Sequence, residues 1–202
     1  MKWGVMILAA GEASRMGKAK MLLPFKDTTI LEKILDEVLV LNPGIVSVVT
    51  GRYHGEISSI IKNPVVELVY NAEYQKGMSS SIQKGLTAML KQCKDMQFLF
   101  ILLADQPFLN QALLQRMIQL HQESKKGLIA ASYQGVAGTP LLLTAKYFEE
   151  LYQLRGDKGA RVILHQNPDD LETVDFEMGV LDIDTVSDYE RFSELLKNEN
   201  AD

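Results

Sequence analysis

The chain has 202 residues, 21 Lys+Arg against 26 Asp+Glu for a formal net charge of −5, and 47% of it is hydrophobic. That composition excludes a disordered chain and leaves room for a sizeable core in one domain, or at most two small ones. The acidic balance excludes a general nucleic-acid binder and a polybasic membrane protein, so no nucleic acid and no membrane is expected as a partner.

Residues 3–9 read as a buried strand. Their apolar stretch is too short for a signal peptide and ends in a loop rich in basic residues, which makes a cytoplasmic protein the expectation. Residues 29–41 read as a helix, with Ile30, Leu31, Ile34, Leu35, Val38 and Leu39 on one face and Thr29-x-x-Glu32 as a capping box. Asn42-Pro43-Gly44 stops it, and Ile45–Thr50 is the next strand. A short helix at Glu56–Ile61 leads to strand Val65–Tyr70, helix Ser80–Cys93 and strand Phe98–Ala104. Cys93, the only cysteine, falls on the apolar spacing of its helix and reads as a buried residue; no disulfide or CxxC knuckle is possible. Asn110 caps a helix at Gln111–Gln122, followed by strands at Leu128–Ser132 and Thr139–Leu143. Helices near 145–154 and 158–165, strands near 171–176 and 180–183, and a last helix opening on Ser187-x-x-Glu190 complete the chain.

Alternating strands and helices predict an α/β fold whose parallel sheet is covered on both faces. No linker, repeat or low-complexity tract divides residues 1–202, so one domain is expected. In such a fold ligands bind beyond the carboxyl ends of the strands.

The first loop there runs from Leu8, Ala9, Ala10 and Gly11 through Arg15 to Lys20. Residues 1–27 hold five basic and two acidic residues, a local +3 inside an acidic chain. Glycines let backbone N–H groups approach an anion, Arg15 offers a planar fork for phosphate oxygens, and Lys20 a point charge. The spacing is neither Walker A nor GxGxxG, and a surface turn with incidental cations is the plain alternative. Asp105 follows the apolar strand at 98–104, and Pro107 ends that strand. A carboxylate facing bound phosphates needs a cation between them, and Mg²⁺ is the usual one. Asp182 and Asp184 stand two apart in a strand pattern and would share a face, or else serve a turn before the Ser187 cap. Gly77, Met78, Ser79, Ser80 and Ser81 open a helix and would hold a ribose, base or phosphate, or simply cap it. Gly138, Thr139 and Pro140 read as a turn that lets a ligand approach the backbone, and Gly156 to Arg161, with Lys158 and Gly159, would receive a second anionic ligand. No HExxH or GxSxG is present, which disfavours zinc and serine hydrolases.

Leu8-Ala9-Ala10-Gly11-x-x-x-Arg15-Met16-Gly17-x-x-Lys20-x-Leu22-Leu23-Pro24 resembles the signature of the MobA-like nucleotidyltransferases. Asn71, Gly77–Ser81, Leu103–Pro107, Gly138–Pro140, Gly156–Arg161 and Asp182–Thr185 match in order across almost the whole chain. The set most resembles the molybdenum cofactor cytidylyltransferase branch and its relatives in purine catabolism. The resemblance implies a Rossmann-like three-layer fold with a mostly parallel mixed sheet. It also implies transfer of CMP from CTP to molybdopterin, with pyrophosphate released and a molybdoenzyme such as xanthine dehydrogenase served by the product. On this resemblance Ala9-Ala10-Gly11 would lie against base and phosphates, where GTP-using relatives typically carry Ala-Gly-Gly. Asn71, Gly77, Met78, Ser79 and Ser80 would bind nucleotide, and Arg15 and Lys20 the triphosphate. Asp105 and Asp184 would hold Mg²⁺; Gly138–Pro140 and Gly156–Arg161 would face the pterin. Ala13 departs from the serine of many relatives. Two other readings stay open: nucleotidyl transfer to a different phosphorylated acceptor, and a non-catalytic insertion chaperone for the finished cofactor.

Overall fold

The computed structural model describes residues 2–11 and 19–180. Its elements are β1 (Trp3–Ala9), a 3-10 turn (Lys20–Leu22), the short strands β2 (Pro24–Phe25) and β3 (Thr28–Thr29), α1 (Ile30–Leu39), β4 (Ile45–Thr50), α2 (His54–Ile60) and β5 (Val66–Tyr70). A 3-10 turn (Tyr74–Lys76) leads to α3 (Met78–Gln92), β6 (Phe98–Leu103), α4 (Gln111–Ser124), β7 (Leu128–Tyr133), β8 (Val136–Thr144), α5 (Phe148–Gln153), α6 (Arg161–Gln166) and β9 (Leu171–Asp175). Seven strands form one sheet in the order β5-β4-β1-β6-β8-β7-β9. Among these strands β8 alone runs against its neighbours.

The sheet is buried on both faces, which is why its central strands are continuous apolar runs without alternation. Val5, Ile7 and Ala9 of β1 pack into one core with Ile34 of α1 and Leu114 of α4. Met6 and Leu8 pack into the other, with Ile82 of α3, Phe148 of α5 and Ile163 of α6. The mostly parallel, three-layer architecture agrees with the expectation, and so do the caps. Thr29 Oγ1 accepts from Glu32 N (3.2 Å) while Glu32 accepts from Thr29 N (2.9 Å), and Asn110 Oδ1 accepts from Leu113 N (2.9 Å).

Several elements differ from the sequence reading. Helix α3 begins at Met78, with Gly77 rather than a serine at its N-cap. Cys93 lies just past α3, half-buried, with Sγ 3.9 Å from Asp95 Oδ1, because the helix ends before it. Gly138-Thr139-Pro140 is no turn but part of β8: Ala130 pairs with Leu141 and Ala131 with Gly138, so Thr139 and Pro140 form a bulge. The helix expected at 145–154 is a 3-10 turn (Ala145–Tyr147) followed by α5, and the one at 158–165 starts only at Arg161. Val180 ends a 3-10 turn rather than opening a strand; residues 181–183 of that strand, Asp182, Asp184 and the Ser187 helix lie outside the described residues.

Beyond the site, Asp170 ties three elements together. Its Oδ2 accepts from Tyr147 Oη (2.5 Å) and Lys146 Nζ (3.1 Å), and its Oδ1 from Gly127 N (3.1 Å). Burial pushes the Tyr147 phenol up to about 12, with its bond to Asp170 acting the same way. Burial also opposes the charge of Asp170, but the bonds from Tyr147, Gly127 and Lys146 outweigh it and hold that carboxyl below its ordinary range.

Candidate active site

From β1 the chain winds outward through β4 and β5, then returns by α3 to β6 on the opposite side of β1. The crevice at such a reversal is where open α/β sheets place ligands. Here Leu8 pairs with Leu103, and Ala104 N donates to Leu8 O (3.1 Å), so Gly11 and Asp105 leave adjacent strands at the same edge. A cavity of about 670 Å³ lies there, a size suited to a nucleotide-sized ligand. Leu8, Ala10 and Gly11 line it from β1, Leu103, Ala104 and Asp105 from β6, and Gly77, Met78 and Ser81 from the start of α3. Met21, Tyr74, Gln75 and Asp157 complete the wall.

The α3 side is assembled from two loops that the sequence places far apart. Asn71, 3% exposed, donates from Nδ2 to Ser80 Oγ (2.9 Å) and Ser81 Oγ (3.0 Å) and accepts at Oδ1 from Glu73 N (3.0 Å). Its side chain therefore holds the loop before α3 in shape. Gly77 sits at φ +95, and a Cβ there would come within 2.4 Å of Gly156 C and O. The two backbones touch at this point, and Ser79 N donates to Gly156 O (3.1 Å). Gln83 Nε2 donates to Tyr152 O and Leu154 O, both at 2.9 Å, fixing the other end of the same loop to α3. Ser80 N is likewise taken by Gly77 O (3.1 Å). The Ser79 and Ser80 backbone N–H groups, in the loop expected to hold a ribose, base or phosphate, are thus taken by backbone carbonyls. This wall offers instead the Ser81 side chain, Met78 and the Asp157 carboxylate.

On the opposite side the β6–β8 ladder runs from Phe98↔Thr144 to Ile101↔Leu141 and stops. The next β8 residue in line is Pro140, which has no N–H to give. Gln106, 3% exposed, bridges the gap, its Nε2 donating to Thr139 O (3.1 Å). Its Oε1 is buried and has no hydrogen-bond partner among the described residues. The reverse amide orientation would set two carbonyl oxygens against each other. A hydrogen bond of this kind returns about 0.5–1.5 kcal/mol.

Of the residues expected to bind nucleotide, Leu8, Ala10, Gly11, Gly77, Met78 and Asp105 share the cavity wall. Ala9 points into the core on the α1 face, and Ser79 is buried. Lys20 is half-buried and opens the 3-10 turn whose next residue, Met21, lines the cavity. Lys158 and Arg161 are exposed, Gly159 is half-buried, and Gly138 and Pro140 are buried in the bulged strand. Arg15 and Asp184 lie outside the described residues. Tyr74 and Gln75 stand outside every segment the sequence reading singles out, whereas Asp157 lies inside the Gly156–Arg161 block expected to face a second ligand. The signal for Tyr74 and Gln75 is their place between Asn71 and Gly77; in the Gly156–Arg161 block it is the Asp157 carboxylate, not the cations Lys158 and Arg161, that lines the cavity.

Among the described residues no three His, Cys, Asp or Glu side chains gather to hold an ion unaided. One carboxylate at the cavity, that of Asp105, nevertheless fits Mg²⁺, which takes one or two protein carboxylates and completes its shell with water and substrate phosphate. No helix of the described residues is long and apolar enough to cross a membrane.

The family model of the MobA-like NTP transferase domain matches residues 5–171. The molybdenum cofactor cytidylyltransferase of Escherichia coli (strain K12) is 27% identical over 196 residues, covering 94% of this chain and 96% of that protein. Nicotine blue oxidoreductase of Paenarthrobacter nicotinovorans is 27% identical over 191 residues, covering 89% and 91%. Among solved structures, a nucleotidyl transferase from Methanothermobacter thermautotroptrophicus superposes with a TM-score of 0.81 at 22% identity, covering 98% of this chain and 99% of that one. A Mycobacterium tuberculosis protein crystallised in complex with manganese gives a TM-score of 0.76 at 23% identity, covering 95% and 97%. The structural matches share the fold.

Proposed function

Because this chain belongs to the MobA-like NTP transferase domain family, we propose that it transfers CMP from CTP to molybdopterin, giving the cytosine dinucleotide form of the cofactor and pyrophosphate. The observation that carries the reading is the meeting of Ala10, Gly11 and Asp105 from adjacent strands in one cavity at the sheet's reversal point. Glycine-bearing backbone beside a carboxylate is the pairing that a metal-bound triphosphate requires.

The cavity has two chemically distinct sides. The Gly11 side, with Lys20 close along the chain and Arg15 in the same loop, suits the triphosphate. On the α3 side, the filled amides and the Asp157 carboxylate repel phosphate and suit the N–H and O–H donors of a nucleoside or pterin. The acceptor's terminal phosphate attacks the α-phosphorus of CTP; the new O–P bond forms as the bond to pyrophosphate breaks. A phosphate monoester is already anionic, so no general base is needed. Asp105, with Asp184 as the second expected ligand, would hold Mg²⁺, which supplies charge neutralisation on the phosphates when bound. Arg15 and Lys20 neutralise the departing pyrophosphate, and the walls align the two substrates. An NTP substrate accords with a cytoplasmic protein.

Ala10 supports CTP over GTP: it is 7% exposed and lines the cavity, so its methyl narrows the space that a glycine would leave for a purine. The test follows the α-phosphate of CTP into product. Label should pass to molybdopterin with CTP well ahead of GTP, and Ala10→Gly should narrow that preference by about tenfold. Equal use of both nucleotides by the unaltered protein contradicts the CTP assignment. Transfer only to some other phosphorylated acceptor contradicts molybdopterin.

A further inference from the structure

We propose that Gln106 is a positioning residue for the acceptor, fixing the Thr139–Pro140 bulge against the strand end that carries Asp105. The proposal rests on the reading that the bulge faces the acceptor. Three observations carry it. The β6–β8 ladder stops after Ile101↔Leu141, and on the far side of the bulge β8 is paired with β7, from Ala131↔Gly138 onward. The sheet is therefore split between Asp105 and the bulge, and the 3.1 Å bond from Gln106 Nε2 to Thr139 O spans that split. Pro107, next in the chain, restricts the Gln106 backbone, so the side chain is launched from a fixed point immediately beside Asp105.

The third observation is the idle amide oxygen. The buried Oε1 has no partner among the described residues, so the Thr139 bond uses only one end of the amide. Gln106 is thus better explained by what it aligns. On that reading it sets the spacing between the Asp105 carboxylate and the backbone expected to face the acceptor, the spacing on which an in-line transfer depends.

The test uses Gln106→Met, which keeps the volume and removes the donor, and Gln106→Leu, which removes both ends of the amide. Hydrogen exchange on the ligand-free protein reads the bulge directly: in both variants amides of residues 136–141 should exchange at least about fivefold faster, with α3 unchanged. CTP affinity with Mg²⁺, measured by calorimetry, should stay within about twofold. In pyrophosphate release with molybdopterin, kcat/KM for the acceptor should fall about ten- to a hundredfold, chiefly through KM. The melting temperature of Gln106→Met should stay within about 2 °C of the parent or rise. Unchanged bulge exchange overturns the proposal, as does CTP affinity lost in step with acceptor turnover. A lowered melting temperature with unchanged acceptor kinetics reduces Gln106 to a structural role and overturns it too. If the unaltered protein releases no pyrophosphate with molybdopterin, the acceptor assignment fails, and the exchange and CTP arms alone decide whether Gln106 positions the bulge.

Discussion

Replacing Gly77 by alanine tests whether the nucleotide cavity depends on the contact between the start of α3 and the Gly156 loop. At φ +95 and ψ 176 the backbone lies where essentially only glycine is found, and an alanine is strained by about 1–3 kcal/mol. Its Cβ would stand 2.4 Å from Gly156 C and O and 2.7 Å from Asp157 N, so one backbone must retreat by about 1 Å to reach ordinary contact. That movement breaks the Ser79 N–Gly156 O bond, a further loss of about 0.5–1.5 kcal/mol. The total is about 1.5–4.5 kcal/mol, or a drop of about 3–18 °C in melting temperature for a chain of this length. Gly77 and Asp157 both line the cavity, so CTP affinity should fall about tenfold or more. Gly135→Ala is the control. Gly135 also has positive φ, at +75, but a Cβ there meets nothing within 4 Å. It should cost only the backbone strain, about 1–2 kcal/mol, and leave CTP binding unaltered. Thermal melts and calorimetric titration of both variants decide the matter. Equal melting shifts with intact CTP affinity in Gly77→Ala would refute the claim that this contact shapes the site.

Lys20→Ala and Asp105→Ala should each lower turnover by about 10²–10³-fold while the melting temperature stays near that of the parent; near-parental rates in both would sink the proposed phosphate and metal roles. Asn71→Leu strands the Glu73 N–H and removes the donor to the Ser80 and Ser81 oxygens, and should lower stability, by about 2–4 kcal/mol, and CTP affinity; parental stability in denaturant unfolding together with normal CTP binding would contradict its placement as the clamp of that loop. The Asp170 cluster predicts two pH limbs. The depressed carboxyl of Asp170 contributes stability above the ordinary aspartate range, and this is lost as pH falls through its folded value; Asp170→Asn should flatten that acid limb in a melting profile. Tyr147, raised from 10.0 to about 12, contributes below pH 10 and loses that contribution between pH 10 and 12, so Tyr147→Phe should flatten the alkaline limb; an unchanged limb in either variant contradicts the assignment.

The parts of the fold legible from sequence are those governed by burial and local capping. Strands at 3–9 and 98–103 announce themselves because both faces are covered and their residues are apolar without interruption, and the strand at 45–50 through its β-branched run broken only by Ser47. Thr29 and Asn110 mark helix starts through hydrogen bonds made within four residues. The β2–β3 hairpin escapes because two-residue strands have no period to read. Gly138-Thr139-Pro140 reads as a turn for the same composition that makes it a bulge, and only the pairing partners in β7 separate the two. At the site, Gly11 and Asp105 are legible because each follows a recognisable strand. The docking of Gly156 on Gly77 is not, since it joins segments 79 residues apart and leaves no local trace beyond the glycines themselves. Asn71 illustrates the limit from the other direction: resemblance names it for nucleotide, while its hydrogen bonds go to the protein.

The most direct measurement of the central claim is pyrophosphate release from each of the four NTPs, with Mg²⁺, in the presence and absence of molybdopterin. Release that is fastest with CTP, requires the acceptor and vanishes on chelation of the metal is the predicted result. Binding of the finished cofactor with no pyrophosphate from any nucleotide would contradict it and point to a carrier instead.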